Sequence, residues 1–169
     1  LILQSQRLRI LRDIALLAQH ARHVNDVLEA GLRLLHDYLG WPIGHLHLRQ
    51  PGLETWYLAD TWCLHEFEGQ SGVQRHPLNP GVLQGVCSHV LLNKVSDSAS
   101  PLWLGSLDDV AAGCSYGQAL LAAGLRSGCL CPVWIDGQMV AMLALFTEGT
   151  APLLAETCNF LAQTILLLR

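Results

Sequence analysis

Charge is scarce in this chain: of its 169 residues only 14% are Asp, Glu, Lys or Arg, against 51% that are hydrophobic. The net charge is -4 and the basic residues are scattered, so there is no electrostatic footprint for nucleic acid or for an anionic membrane. No apolar run approaches the roughly 20 residues that cross a bilayer. The N-terminus lacks the charged, apolar and small-residue order of a signal peptide. These absences point to a cytoplasmic protein. There is also no Ser-His-Asp order, no P-loop and no paired-carboxylate motif, which leaves no residue to name as catalytic.

What the chain does have is apolar patterning, enough to build the core of one domain. Its six cysteines, at 63, 87, 114, 129, 131 and 158, are spread through a sequence too large and too apolar to need disulfide staples. They read as reduced thiols, mostly packed in the core. The chain begins at Leu1 and stops inside an apolar helical pattern, Thr164 to Arg169, so it is expected to be excised from a longer multidomain protein.

Leu3, Ile10, Ile14, Leu17 and Ala21 recur at steps of seven, four, three and four, the spacing of one helix face. A parallel stripe of Leu8, Leu11, Ala15 and Ala18 widens that face, leaving open whether it packs on the domain alone or also on a partner. Asn25 or Asp26 is expected to cap a second helix, with Leu28, Leu32, Leu35 and Leu39 on one side and Gly40 at its end. Residues 43–49 and 55–64 read as a hairpin, and 66–80 as a loop. Helices follow near 80–92 and 116–123, with a short strand at Pro101-Leu102-Trp103-Leu104 between them. Asp136-Gly137 is a two-residue turn signal between two strand-length apolar runs. A last helix repeats Leu154, Cys158, Leu161, Ile165 and Leu168.

Four segments, in this order, carry a family resemblance: LGWPIGHLHLR at 39–49, SPLWLGSLDD at 100–109, AAGLRSGCLCPV at 122–133 and DGQMVAMLALFTEG at 136–149. The sequence resembles a GAF domain, of a bacterial subgroup found in sensor histidine kinases and diguanylate cyclases. The resemblance implies an α+β fold: a PAS-like central antiparallel sheet of five or six strands, terminal helices on one face, and loops and short helices over a ligand cavity on the other. It implies one domain over residues 1–169, with residues 1–23 and 151–169 as signalling helices. The expected role is non-catalytic sensing: a small-molecule ligand, a homodimer through the terminal helices, and a covalently linked effector domain.

The sequence departs from the subgroup after the SPLWLGSLDD segment, where VAAGCSYGQA replaces an Asn-Phe-Pro-Arg-Ala-like run, so the family's usual ligand does not carry over. Candidate ligand contacts are Trp62, His65, Cys87, Trp103, Cys114 and Tyr116, on segments expected to flank the cavity. Trp103 competes for a role as the anchor of its strand. Cys114 stands where bilin-binding relatives anchor their chromophore, but Ser115 follows it instead of a histidine. Gly85-Val86-Cys87 and Gly113-Cys114 are similar to the cysteine runs of free methionine sulfoxide reductases, an enzymatic alternative, without the glycine and acid that follow there. The third alternative is a ligand-free dimerisation module. Cys129 and Cys131 alternate onto one strand face without the further partners of a metal set and are expected simply to pack. His45 and His47 repeat that geometry with the same missing partners; a ligand role toward a metal or haem iron stands as the alternative to the expected packed or surface position. The cofactor is left unknown, haem and bilin being conceivable but without a supporting motif.

Overall fold

The two central strands are fixed by their turn. Asp136 and Gly137 both hold positive φ, 49° and 76°, the conformation that lets a two-residue loop match the twist of its strands. Strands β4, Ser127–Ile135, and β5, Gln138–Thr147, thus pair antiparallel from Ile135 opposite Gln138 to Ser127 opposite Thr147. The computed structural model describes residues 2–50, 52, 56–64, 95, 100–113, 115–149 and 155–167. The other elements are helix α1, Ile2–His20; α2, Val24–Leu39; strands β1, Ile43–Arg49, β2, Trp56–Leu64 and β3, Leu102–Leu104; and helices α3, Leu107–Ala111, α4, Ser115–Ala122 and α5, Ala155–Leu167. The sheet order is β2-β1-β5-β4-β3, with every pair antiparallel.

Helices cover both faces of this sheet, so its inner strands are almost wholly buried and read as unbroken apolar runs. Toward one side point Leu46, Leu48, Cys129, Cys131, Leu143 and Leu145, packed with Leu28, Leu32 and Leu35 of α2, Ile14 of α1, and Phe160, Leu161 and Ile165 of α5. Toward the other point Ile43, Leu130, Met142, Ala144 and Phe146, packed with Leu107 of α3, Tyr116 and Leu120 of α4, and Val95. The expected α+β architecture, with terminal helices together on one face, is the one observed. Arg7 ties those helices: its Nε donates to the Tyr38 hydroxyl at 2.7 Å, and its guanidinium lies 5.9 Å from the Phe160 ring centre.

Several local expectations are corrected. Helix α2 starts at Val24, before Asn25 and Asp26; His23 is its N-cap without a side-chain bond, and the first turn closes through the Asp26 N–H donating to the His23 carbonyl at 3.2 Å. Asp26 therefore sits inside the first turn, where a carboxylate complements the helix dipole. The cap of α3 is Ser106, whose Oγ accepts from the Asp108 N–H at 3.3 Å. Both stripes of α1 touch the core, Ile10, Ile14 and Ala21 of the first and Leu11 and Ala18 of the second, while Leu17 is 38% exposed. The helix expected near 80–92 and the loop at 66–80 lie outside the described residues.

Among the described glycines, Gly128 is the most closely approached. A Cβ built there would meet Phe146 Cδ1 and also the Leu145 carbonyl oxygen at 2.7 Å, so the Phe146 ring lies directly over the bare backbone of β4. Gly128→Ala is expected to destabilise the protein by about 1–3 kcal/mol through overpacking, read as a lower urea midpoint. An unchanged midpoint would show that Phe146 has somewhere else to go.

Candidate functional site

Alternation along β1 sends Gly44, Leu46 and Leu48 to the terminal helices and His45 and His47 to the opposite side. The α2 side of β1 is tight: a Cβ on Gly44 would come within 3.3 Å of Leu32 and of His36. Consequently the strand cannot roll to release its histidines, and both are buried, at 0% and 4% exposure. Beside them the pairing of β1 with β2 slips: His45 faces Trp62 but His47 faces Leu58, so β2 advances four residues for two of β1. Bulges of this kind concentrate next to functional sites.

Three polar atoms converge at the histidine pair. His45 Nε2 and His47 Nε2 are 2.9 Å apart, and the hydroxyl of Tyr116, from the first turn of α4, lies 3.4 Å from His47 Nε2 and in a still closer hydrogen bond with His45 Nε2. The Phe146 ring closes the group, 5.7 Å from the His45 ring and 6.1 Å from that of Tyr116. Burial holds His45 well below the ordinary imidazole value of 6.5, with a second contribution from the adjacent His47. Burial alone lowers His47 to about 4. Both rings are neutral at pH 7, so each has one nitrogen lone pair to offer.

Of the residues singled out in the sequence, Tyr116 is at this site. Trp103 is on the other face, its ring 5.9 Å from that of Trp41 and packed against the helical core, which fits its competing role as a strand anchor. The backbone of Trp62 pairs with that of His45. His65, Cys87 and Cys114 lie outside the described residues. Cys129 and Cys131 pack as expected, with Sγ atoms 3.7 Å apart in the helical core. The shared face of His45 and His47 was legible in the sequence, but not Tyr116 across from it. A concavity of about 770 Å³ lies away from this cluster at the end of the sheet, between the start of α2 and the β4–β5 turn, with Leu28, Arg49, Tyr57 and Trp134 in its walls.

By sequence, no family model and no curated protein matches the chain. Its structure is similar to the GAF domain of a phosphoenolpyruvate-protein phosphotransferase from Acinetobacter, with a TM-score of 0.66 at 15% identity over 95% of this chain and 89% of that one. The phycocyanobilin-bound GAF domain of a cyanobacterial phytochrome gives 0.67 at 12% identity over 96% and 91%. Free methionine-R-sulfoxide reductase from Neisseria meningitidis, solved with its substrate, gives 0.62 at 18% identity over 96% and 85%. The sheet order and helix placement thus define an α+β domain with helices on both faces of a five-stranded antiparallel sheet. More narrowly, the fold of this chain is that of a GAF domain.

The lowered histidines make stability depend on pH. Between about 4 and 6.5 the unfolded chain binds more protons at position 47 than the folded one, so stability is complete above about 6.5 and falls as the pH drops toward 4. The loss from His47 is expected to be about 3 kcal/mol, with His45 acting in the same direction. Urea unfolding of metal-free protein at pH 7.5 and 4.5 checks this, and His47→Gln should flatten the difference. Equal pH sensitivity in wild type and variant would exclude His47 as the source.

Proposed function

We propose that this chain is a non-catalytic sensory domain of a bacterial signalling protein, which holds a small ligand against the His45, His47 and Tyr116 face and relays its presence through α1 and α5. The observation that carries the reading is that polar cluster, buried on the sheet face opposite the terminal helices. Two of the structurally similar proteins were solved with a small molecule bound, one with phycocyanobilin and one with its substrate.

The relay has a physical route. β1 carries the histidines on one side and Leu46 and Leu48, in the core with α2, on the other, so a ligand that moves the histidines also repacks the helical layer. It does so only by its differential affinity for the two packings. Leu8 and Leu16 of α1 are 66% and 48% exposed, and Leu166 of α5 is 54% exposed. Those leucines suit a homodimer formed through helices at residues 1–23 and 151–169, with a histidine kinase or diguanylate cyclase as the covalently linked effector. The reading takes the domain to be cytoplasmic; among the described residues no helix is long and apolar enough to cross a membrane. Whether haem, bilin or a metabolite is the natural ligand is a matter for the absorption and native mass spectra of the purified protein.

Analytical ultracentrifugation tests the dimer: Leu8→Lys combined with Leu16→Lys should weaken self-association at least about tenfold, the loss of more than 1.4 kcal/mol. A wild-type chain that stays monomeric at high concentration, alone and in a longer protein, would sink the relay. The Neisseria reductase keeps a thiol enzyme built on Cys87 and Cys114 as the second reading. Methionine-sulfoxide-dependent thiol oxidation that disappears in Cys114→Ser would favour it; a pure sensor gives no turnover.

A further inference from the structure

The contacts among His45, His47 and Tyr116 cannot all be hydrogen bonds at once. Each Nε2 has a single site, holding either a proton or a lone pair, and the phenol has one proton. If the Tyr116 hydroxyl donates to His45 Nε2 and His47 Nε2–H donates to the Tyr116 oxygen, the 2.9 Å approach of the two nitrogens is left without a hydrogen of its own. The other tautomers leave one contact over in the same way. A cation between the three atoms would use all three lone pairs together.

We propose that His45 Nε2, His47 Nε2 and Tyr116 Oη bind a first-row transition-metal ion, with iron(III) the best match. Imidazole nitrogen suits iron, copper, nickel and zinc, and an anionic phenolate oxygen favours the hard ferric ion among them. The spacing fits: two donors about 2.0–2.1 Å from a metal and 2.9 Å from each other subtend an angle of roughly 90° at it, the cis angle of an octahedron. The two Tyr116 contacts, one at 3.4 Å and one shorter, fall on either side of that length, so the three donors outline one distorted face and leave the opposite side for exogenous ligands.

Binding follows M³⁺ plus the neutral site giving the phenolate complex plus one proton released to solvent; no electron is transferred. Both imidazoles must then carry their remaining proton on Nδ1. Among the described residues no group of three or more His, Cys, Asp and Glu side chains is present, so of the described side chains the phenolate alone offsets the ion's charge, by one of three. A small anion in the open positions would offset more. This deepens the sensory reading, and rests on it for the idea that occupancy of this face is the signal: the ligand class becomes a metal with a small anion.

The test uses the full 169-residue chain, stripped with chelator, loaded anaerobically with ferrous salt and oxidised by dioxygen. One iron per chain and a visible phenolate-to-iron charge-transfer band are expected. Tyr116→Phe should keep its fold by circular dichroism and lose the band, a change that a merely structural role would not produce. With cobalt(II) as the probe, His45→Gln and His47→Gln should each weaken binding by about 100-fold, while the exposed His20→Gln should not. If either histidine variant fails to fold, the band and its loss in Tyr116→Phe decide. A wild-type protein that takes up no iron, or a band that survives Tyr116→Phe, overturns the proposal. An organic ligand retained at the site without metal overturns the metal and spares the sensory reading; iron that binds without shifting the monomer–dimer balance supports the metal and counts against the relay.

Discussion

Everything near the site depends on the two-residue alternation of one strand wedged between two packed layers. β1 has β2 on one edge and β5 on the other, α2 against one face and Tyr116 against the other. With Gly44 pressed by Leu32, His36 and Leu145, β1 cannot turn or slip by a residue without driving its leucines into the polar side. The helical core therefore holds the histidines in place. Neither imidazole has solvent to stabilise a charge, so burial dictates their neutral form and the neutral form dictates what they can do: accept a proton, share one, or give a lone pair to a cation.

That arrangement couples the two faces more directly than a site on a loop would. Phe146 is the clearest case. It packs its ring beside His45 and Tyr116, over the bare backbone of Gly128, while its neighbour Leu145 belongs to the core with α2 and α5. Close-packed interiors respond to displacement by changing packing, not by stretching. A change of a few tenths of an ångström at the histidines has to be taken up by β5 or by α2, and α2 is joined to α1 and α5 through Arg7, Tyr38 and Phe160.

The large features of the fold were legible because short-range rules fix them. Asp136-Gly137 specifies its turn by backbone conformation alone, and Leu28, Leu32 and Leu35 specify the buried face of α2 by spacing alone. Where two local solutions compete, the sequence was less informative. Asn25 and Asp26 each had the chemistry of a cap, yet both ended inside the first turn of α2, because His23 precedes them with extended backbone. In α1 both apolar stripes reach the core, through Ile14 and Leu11 for example, and the exposure of Leu8 and Leu17 is set by tertiary packing that spacing does not report. The site was illegible at its essential point, since Tyr116 is separated from His45 by 71 residues and no local pattern links them.

His45-Leu46-His47 and Cys129-Leu130-Cys131 form the same pattern on two strands, and the structure gives them opposite surroundings. The reason is parity. His45 pairs with Ala144, which pairs in turn with Leu130; Gly44 pairs with Leu145, which pairs with Cys129. Across three strands the cysteines are thus in line with Gly44, on the helical side, and the histidines in line with Leu130, on the side of α4. The thiols lie in the apolar helical core, 3.7 Å from each other. The imidazoles cannot be satisfied by packing, since each carries a donor and an acceptor that an apolar wall leaves wanting. The Tyr116 hydroxyl, on the first turn of α4, meets both imidazoles there.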